Sequence, residues 1–272
     1  MVIRTPLPSD WQAFYRLAAA EGWRVPQVER QLLQGAWSQC AYVLDMDGAF
    51  AGLVTAVAHE QSGWIGNLIV PQALRGRGFG VTLFRRALTD LAERGMTTCW
   101  LTASELGQPI YEKSGFFVVN EVERWVCPPR KGSEQRVEEQ LLARQALREC
   151  DRSAWSEDRD ALLDHLLESG QVFACDDALA LLQKGQDVQI LGPWYSRSLC
   201  PRANRRLLQQ VLAAADPSVE IVADILASSP MRQLLAAARF APAGSNRLMV
   251  KGPSPAVDLN AMVALASLGS VG

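Results

Sequence analysis

The sequence predicts an α/β (α+β) fold built as two similar units, and three observations predict it. A strand–turn–helix stretch, Trp64 to Leu91, carries three glycines in its turn. Strand-period and helix-period runs alternate along the 272 residues. The apolar frame of the first half then recurs in the second at a constant offset.

The glycine turn is Arg75-Gly76-Arg77-Gly78-Phe79-Gly80, between the strand Ile65–Val70 and a helix expected to open near Val81. Glycines let the backbone turn tightly and point several N–H groups into one concavity. The helix that follows adds unpaired N–H groups and the positive end of its dipole, so the turn suits an anion such as a pyrophosphate. Hydrogen bonds to a charged group are worth roughly 1.5–3 kcal/mol each, so a handful would anchor a nucleotide-like ligand. Many glycine-rich turns are only turns, and the loop alone defines no ligand. Its spacing separates it from a Walker A loop, which needs Gly-Lys-Ser/Thr, and from the dinucleotide fingerprint, whose third glycine comes later.

In order, the chain opens on a short strand, Val2–Thr5, and a helix capped by Asp10 that carries Trp11, Phe14, Leu17 and Ala18 on one face. Gly22 ends it, and a second helix spans Gln27–Ala36. Ala41–Met46 and Ala49–His59 read as a hairpin turning at Asp47-Gly48. The helix after the glycine turn keeps Val81, Phe84, Leu88 and Leu91 on one side and closes at Gly95. Thr97–Ala103 is a strand, Gln108–Lys113 a short helix, and Phe116–Val126 a strand. Cys127-Pro128-Pro129-Arg130-Lys131-Gly132-Ser133 has the composition of a linker. Beyond it, helices are expected over Glu134–Arg148, Arg159–Leu167, Arg202–Ala215 and Pro230–Ala238. Strands are expected over Val172–Cys175, Ala178–Gln183, Val188–Leu191, Val219–Ile225 and Arg247–Val250. The proline-interrupted tail after Lys251 turns apolar, as a segment that packs against something.

The repeat has an offset of 124 residues: it carries Phe116 onto Phe240, and Leu83, Phe84, Ala87 and Leu88 onto Leu207, Leu208, Val211 and Leu212. The turn does not survive the shift. Arg75, Gly78 and Gly80 become Leu199, Arg202 and Asn204, with Cys200-Pro201 between them. Proline removes an N–H, and Arg202 places a Cβ where a ligand would approach. The second copy is expected to be a scaffold that has lost its loop.

Composition bounds the function. With 27 basic against 29 acidic residues, the chain lacks the basic surface of a nucleic-acid binder. Six scattered cysteines without a CxxC pair, and two distant histidines, point to reduced cysteines in a core and to no metal. No stretch is apolar for long enough to span a membrane and no signal pattern opens the chain, so the expectation is a cytoplasmic protein without membrane association.

Downstream of the turn, Ser104 is followed by Tyr111-Glu-Lys-Ser-Gly115-Phe116. Together, Asn67-Leu68-Ile69-Val70-Pro71, the Arg75-x-x-Gly78-x-Gly80 turn and the Tyr111-x-x-x-Gly115-Phe116 element resemble the GNAT family of N-acetyltransferases, over roughly residues 2–126. The Glu21-Gly22-Trp23 loop and the second half resemble a tandem subgroup with a degenerate C-terminal copy. The resemblance implies two GNAT-like domains, each a mixed central sheet flanked by helices: residues 1–128, a linker 129–136, and residues 137–272. It implies acetyl-CoA as cosubstrate, no metal, and a small-molecule amine or a protein N-terminus as acceptor. The pyrophosphate would lie on the backbone of Arg75, Gly76, Arg77, Gly78, Phe79, Gly80 and Val81, and the pantetheine arm along Leu68, Ile69 and Val70. Tyr111 would protonate the departing thiolate. Ser104 stands where the family often has an asparagine on the CoA arm, a departure from the family's pattern at one hydrogen bond.

Trp23, Trp64 and Glu60 read as acceptor-side contacts, which for the two tryptophans is the alternative to a place in the core. The general base stays open among Glu60, His59 and Glu21. The rival readings are a non-catalytic CoA-binding sensor or interaction protein, separable by thiol release with amines, and a nucleotide-binding protein, for which ATP or NAD would compete with CoA.

Overall fold

The computed structural model of the chain describes residues 1–253 and 256–272, so the proline-interrupted start of the tail at 254–255 lies outside the described residues. Strand β1 is Val2–Arg4. Helix α1, Pro8–Ala20, starts two residues ahead of Asp10 because proline suits the first helical turn. Asp10 serves that end from inside the first turn, where its carboxylate accepts from the Leu7 amide at 2.7 Å and from Arg4 at 2.6 Å. Helix α2 is Gln27–Gln34. The hairpin of β2 (Ala41–Met46) and β3 (Ala49–Ala58) turns at Asp47 and Gly48, both left-handed at φ 53° and 87°. That geometry is the reason for an Asp-Gly pair there. Next come β4 (Ser62–Ile69), α3 (Phe79–Glu93), β5 (Thr98–Ala103), α4 (Gln108–Glu112) and β6 (Phe117–Cys127).

The expected helix over 134–148 is a correction: α5 runs only from Ala143 to Trp155. Residues ahead of it are mostly polar, Leu141 and Leu142 are left 97% and 66% exposed rather than packed, and the Gln135 amide bonds the Ala213 carbonyl at 2.8 Å instead of a helical partner. Then follow α6 (Asp160–Ser169), β7 (Gly170–Cys175), β8 (Ala178–Gln183), β9 (Gln189–Ser196), α7 (Pro201–Ala214), β10 (Ile221–Leu226), α8 (Arg232–Ala237), β11 (Ala241–Lys251) and β12 (Met262–Ala264). Strands β6 and β11 keep the repeat offset, Phe117–Cys127 mapping onto Ala241–Lys251.

All twelve strands join in one sheet, ordered β1-β2-β3-β4-β5-β11-β6-β10-β12-β9-β8-β7. The halves exchange their last long strands. From the second half, β11 pairs antiparallel with β5, Arg247 opposite Ala103 and Lys251 opposite Cys99. From the first, β6 pairs antiparallel with β10, Cys127 opposite Ile221 and Val122 opposite Leu226.

Alternation along the strands divides the core between the two faces. Val43, Leu53, Val57 and Trp64 face a cluster with Trp11, Phe14, Leu32, Leu147, Trp155 and Leu163, so α1, α2, α5 and α6 form one helical layer shared by both halves. Their neighbours Tyr42, Leu44, Val54 and Ile65 face α3 and α4. An equivalent cluster lies under α7 and α8. No helix among the described residues is long and apolar enough to cross a membrane.

Candidate active site

The cleft begins as a defect in β4. Gly66 lies opposite Thr55 but Ile69 lies opposite Leu53, so β4 has one residue more than β3 over this span. Asn67 takes up the excess in the left-handed region, φ 53°, with its amide nitrogen 3.3 Å from Thr55 Oγ1. Strand β4 therefore swings away from β5. The two pair in parallel only from Ser62–Trp64 to Thr98–Trp100, and beyond Trp64 the β5 side of β4 has no strand partner among the described residues.

The glycine turn follows the unpartnered end of β4 in the chain and leads into α3. Gly76 and Gly78 have φ of 75° and 83°, which a side chain would strain, and Gly78 is the N-cap of α3. The first helical bond of α3 runs from the Thr82 amide to Gly78 O, and the amides of Gly76 through Val81 find no acceptor in the chain among the described residues. Arg75 stiffens the turn from outside: its Nε donates to Val70 O at 3.0 Å and its guanidinium pairs with Glu21. The turn thus offers main-chain donors at a helix N-terminus, a fit for a phosphate group.

Tyr111 of α4 is buried to 8% exposure, its ring 4.9 Å from Phe84 and 6.2 Å from Phe116 between centroids. Burial pushes its phenol up to about 12, so it holds its proton at neutral pH. Tyr111 lines the cleft with Ser104, whose hydroxyl accepts from the Gly107 amide at 3.3 Å, and with Leu68 and Asn67. Ile69 and Val70 are buried beside them and Phe79 is half-buried under the Arg77 guanidinium.

Of the three acceptor-side residues read from the sequence, only Trp23 lines the cleft. Trp64 is a correction: its position on β4 points it into the shared helical layer, where it is 1% exposed, donates to Gly269 O at 3.1 Å and meets Trp155 edge-on. Glu60 is another, since its carboxylate accepts from the Asp158 amide at 2.8 Å and lies outside the cleft lining. His59 is held against Val271 O at 3.1 Å, and burial, with the Arg159 charge, lowers its imidazole to about 3. Glu21 is spent on Arg75.

Sequence reasoning missed Glu29, Arg124 and Asp224. Glu29 sits on α2 next to Val28 and one turn before Leu32 and Leu33, and it lines the cleft at 4% exposure. A carboxylate on the apolar stripe of a helix was the available signal. Arg124 of β6 forms a two-bond pair with Asp224 of β10, at 2.8 and 2.7 Å, and donates to Leu268 O at 3.1 Å. This pair exists only because β6 crosses to the second half. The tail Leu265–Gly272 completes the wall, Leu268, Gly269 and Ser270 lining the cleft and Ser270 lying close against Gly66.

The corresponding place in the second half is filled. Parallel pairing of β9 with β10 stops at Ile190 and Val222, and β12 then enters between them, bonded to β9 through Met262 and Ala264 and to β10 through Ala264. The N-terminus of α7 is closed as well. Asn204 is fully buried, accepts from Trp194 Nε1 at 2.9 Å, and donates to Ser196 Oγ and Cys200 O, each at 2.9 Å.

The site thus combines an open splay between parallel strands, a donor-lined turn and a protonated phenol. Residues 12–125 match the family model for an acetyltransferase (GNAT) domain. YitH of Bacillus subtilis (strain 168), an uncharacterized N-acetyltransferase, is 25% identical over 175 residues, covering 62% of this chain and 58% of that protein. A Pyrococcus horikoshii protein of the acetyltransferase class aligns with a TM-score of 0.79 at 19% identity, over 100% of this chain and 95% of that one. A GCN5-related N-acetyltransferase from Sphaerobacter thermophilus aligns with a TM-score of 0.69 at 18% identity, over 95% and 98%. At these identities the structural likeness is one of fold. Residues 12–125 are thus similar to the acetyltransferase (GNAT) domain, and the whole chain shares its fold with the solved structures named above.

Proposed function

We propose that the chain is a cytoplasmic enzyme that transfers an acetyl group from acetyl-CoA to a primary amine by direct attack, using the cleft between β4 and β5. The observation that carries this reading is that one strand–turn–helix unit offers, among the described residues, amides of Gly76–Val81 without an acceptor and an edge of β4 without a strand partner, with the Tyr111 phenol lining the cleft beside Leu68. Turn amides suit the pyrophosphate, the β4 edge suits an arm laid along it as an extra strand, and the phenol suits the thiolate that leaves. Main-chain donors near Ile69 would meet the charge that develops on the thioester oxygen.

In the same reading, residues 1–128 are the catalytic domain, 129–136 a linker, and 137–272 a copy that kept the architecture. Strand β12 occupying the second splay supports that division of labour. The acceptor is a small amine or a protein N-terminus. The test is incubation with acetyl-CoA and a panel of polyamines, amino acids, aminoglycosides and peptides, following free thiol. Thiol release that depends on an amine supports the proposal; tight CoA binding with no release for any amine turns the protein into a CoA sensor.

A further inference from the structure

An amine acceptor arrives as an ammonium ion at neutral pH, and its proton must leave before nitrogen can attack. The acids and histidine near the cleft are mostly committed. Asp224 is locked to Arg124 at 2.7 Å, Glu220 pairs with Arg24 at 2.5 Å, Glu21 pairs with Arg75, and Glu60 and His59 bond main-chain groups outside the cleft. Among the described residues, Glu29 is the one carboxylate in the cleft lining, and no ion pair holds it.

We infer that Glu29 is the general base that takes the proton from the incoming amine, in a pocket whose far wall is supplied by the second half of the chain. This rests on the acetyl-transfer reading of the cleft. The Glu29 carboxylate accepts a proton from R–NH3+, leaving R–NH2. The nitrogen lone pair forms the C–N bond to the thioester carbon. The C–S bond then breaks, sulfur takes the Tyr111 proton, and the second amine proton restores the phenol. Glu29 returns its proton to water.

The surroundings suit that task. Burial raises the Glu29 carboxyl to about 7, while the Ser270 hydroxyl, the Leu268 main chain and the Arg124 charge pull it down and Asp224 adds to the rise. A base is most effective when its affinity for protons matches the working pH. The charged and titratable groups around it are Arg124 from β6, Asp224 from β10, Arg24 with its partner Glu220, Tyr111 from α4, and His165 from α6, whose ring meets Val28 O at 3.0 Å. Arg124 and Asp224 are tied to each other, and Leu268 and Ser270 come from the tail. Glu29 is therefore tuned by residues that reach the site through strand exchange and through the tail, which gives the second half a part in the chemistry.

The experiment uses the full chain, wild type and the variants Glu29→Gln and Glu29→Asp, with CoA titrations and pH–rate profiles on the best amine of the panel. Glu29→Gln is expected to bind CoA within twofold of wild type, to lose about 100-fold or more in kcat/KM at pH 7, and to lose the rise in rate near pH 7. Glu29→Asp is expected to recover part of the rate and to keep a titrating limb. Glu29→Gln turnover within a few fold of wild type, with that limb intact, overturns the role of Glu29 alone. A wild-type chain that binds CoA but acetylates nothing overturns the reading beneath it as well.

Discussion

Replacing Glu29 by glutamine should stabilise the protein at high pH and leave it unchanged at low pH, because the buried carboxylate is a cost to folding only once it ionises. Its carboxyl titrates at about 7 in the fold against 4.5 in a free chain. Below pH 4.5 both states hold the proton and the group contributes nothing to the pH dependence. Between 4.5 and about 7 the unfolded chain gives up its proton while the native one keeps it, so stability falls as pH rises. At about 1.36 kcal/mol per pH unit the full loss is roughly 3 kcal/mol above pH 7. The glutamine variant escapes it. His59 works in the opposite direction, since its lowered imidazole costs stability as pH falls from 6.5 toward about 3, but it does so equally in both proteins and cancels. Thermal midpoints of the two proteins should diverge by roughly 5–10 °C between pH 5 and pH 8.5, at about 2–4 °C per kcal/mol. The difference of differences also removes any effect of the amide on local hydrogen bonds. A gap between the proteins that is the same at both pH values would refute the burial of an ionising carboxylate at this position.

Tyr111→Phe should lower turnover by about 10²–10⁴-fold while CoA affinity measured by calorimetry stays near wild type; unchanged turnover rejects the phenol as acid. CoA should bind once per chain, since β12 fills the second splay, and a calorimetric stoichiometry of two would contradict the closure seen there. Gly66→Ala should displace the tail, because a Cβ would meet Ser270 O at 2.5 Å and its Cα at 2.8 Å, both main-chain atoms. The expected cost is about 1–3 kcal/mol in stability together with a loss of turnover, read by denaturation and thiol release. Gly78→Ala, with open space but φ of 83°, should weaken CoA binding by straining the turn.

Local chemistry was legible wherever a residue's role depends on its near neighbours. Asp47-Gly48 specifies its turn through two left-handed residues, Gly95 ends α3 with φ of 82°, and the glycines at 76 and 78 mark the turn before α3. The expected helix ahead of Ala143 does not form because its apolar residues Leu141 and Leu142 find nothing to pack against. Trp64 was misplaced for a related reason: sequence shows that a tryptophan is on a strand, while the bulge and the face it takes decide whether it meets ligand or core. Glu29 escaped notice because a carboxylate on an apolar stripe looks like an interruption until the cleft beside it is seen.

By itself the sequence determined the α/β alternation, the anion-fitted turn and the loss of that turn in the second half, since each follows from backbone preferences and side-chain period within a few residues. Only the tertiary structure decided that β6 and β11 change places, that β12 plugs the second opening, and that Glu29, Arg124 and the tail share one cleft. Those outcomes depend on which strand edges find each other across more than a hundred residues, a competition among distant hydrogen-bonding partners that no local pattern encodes.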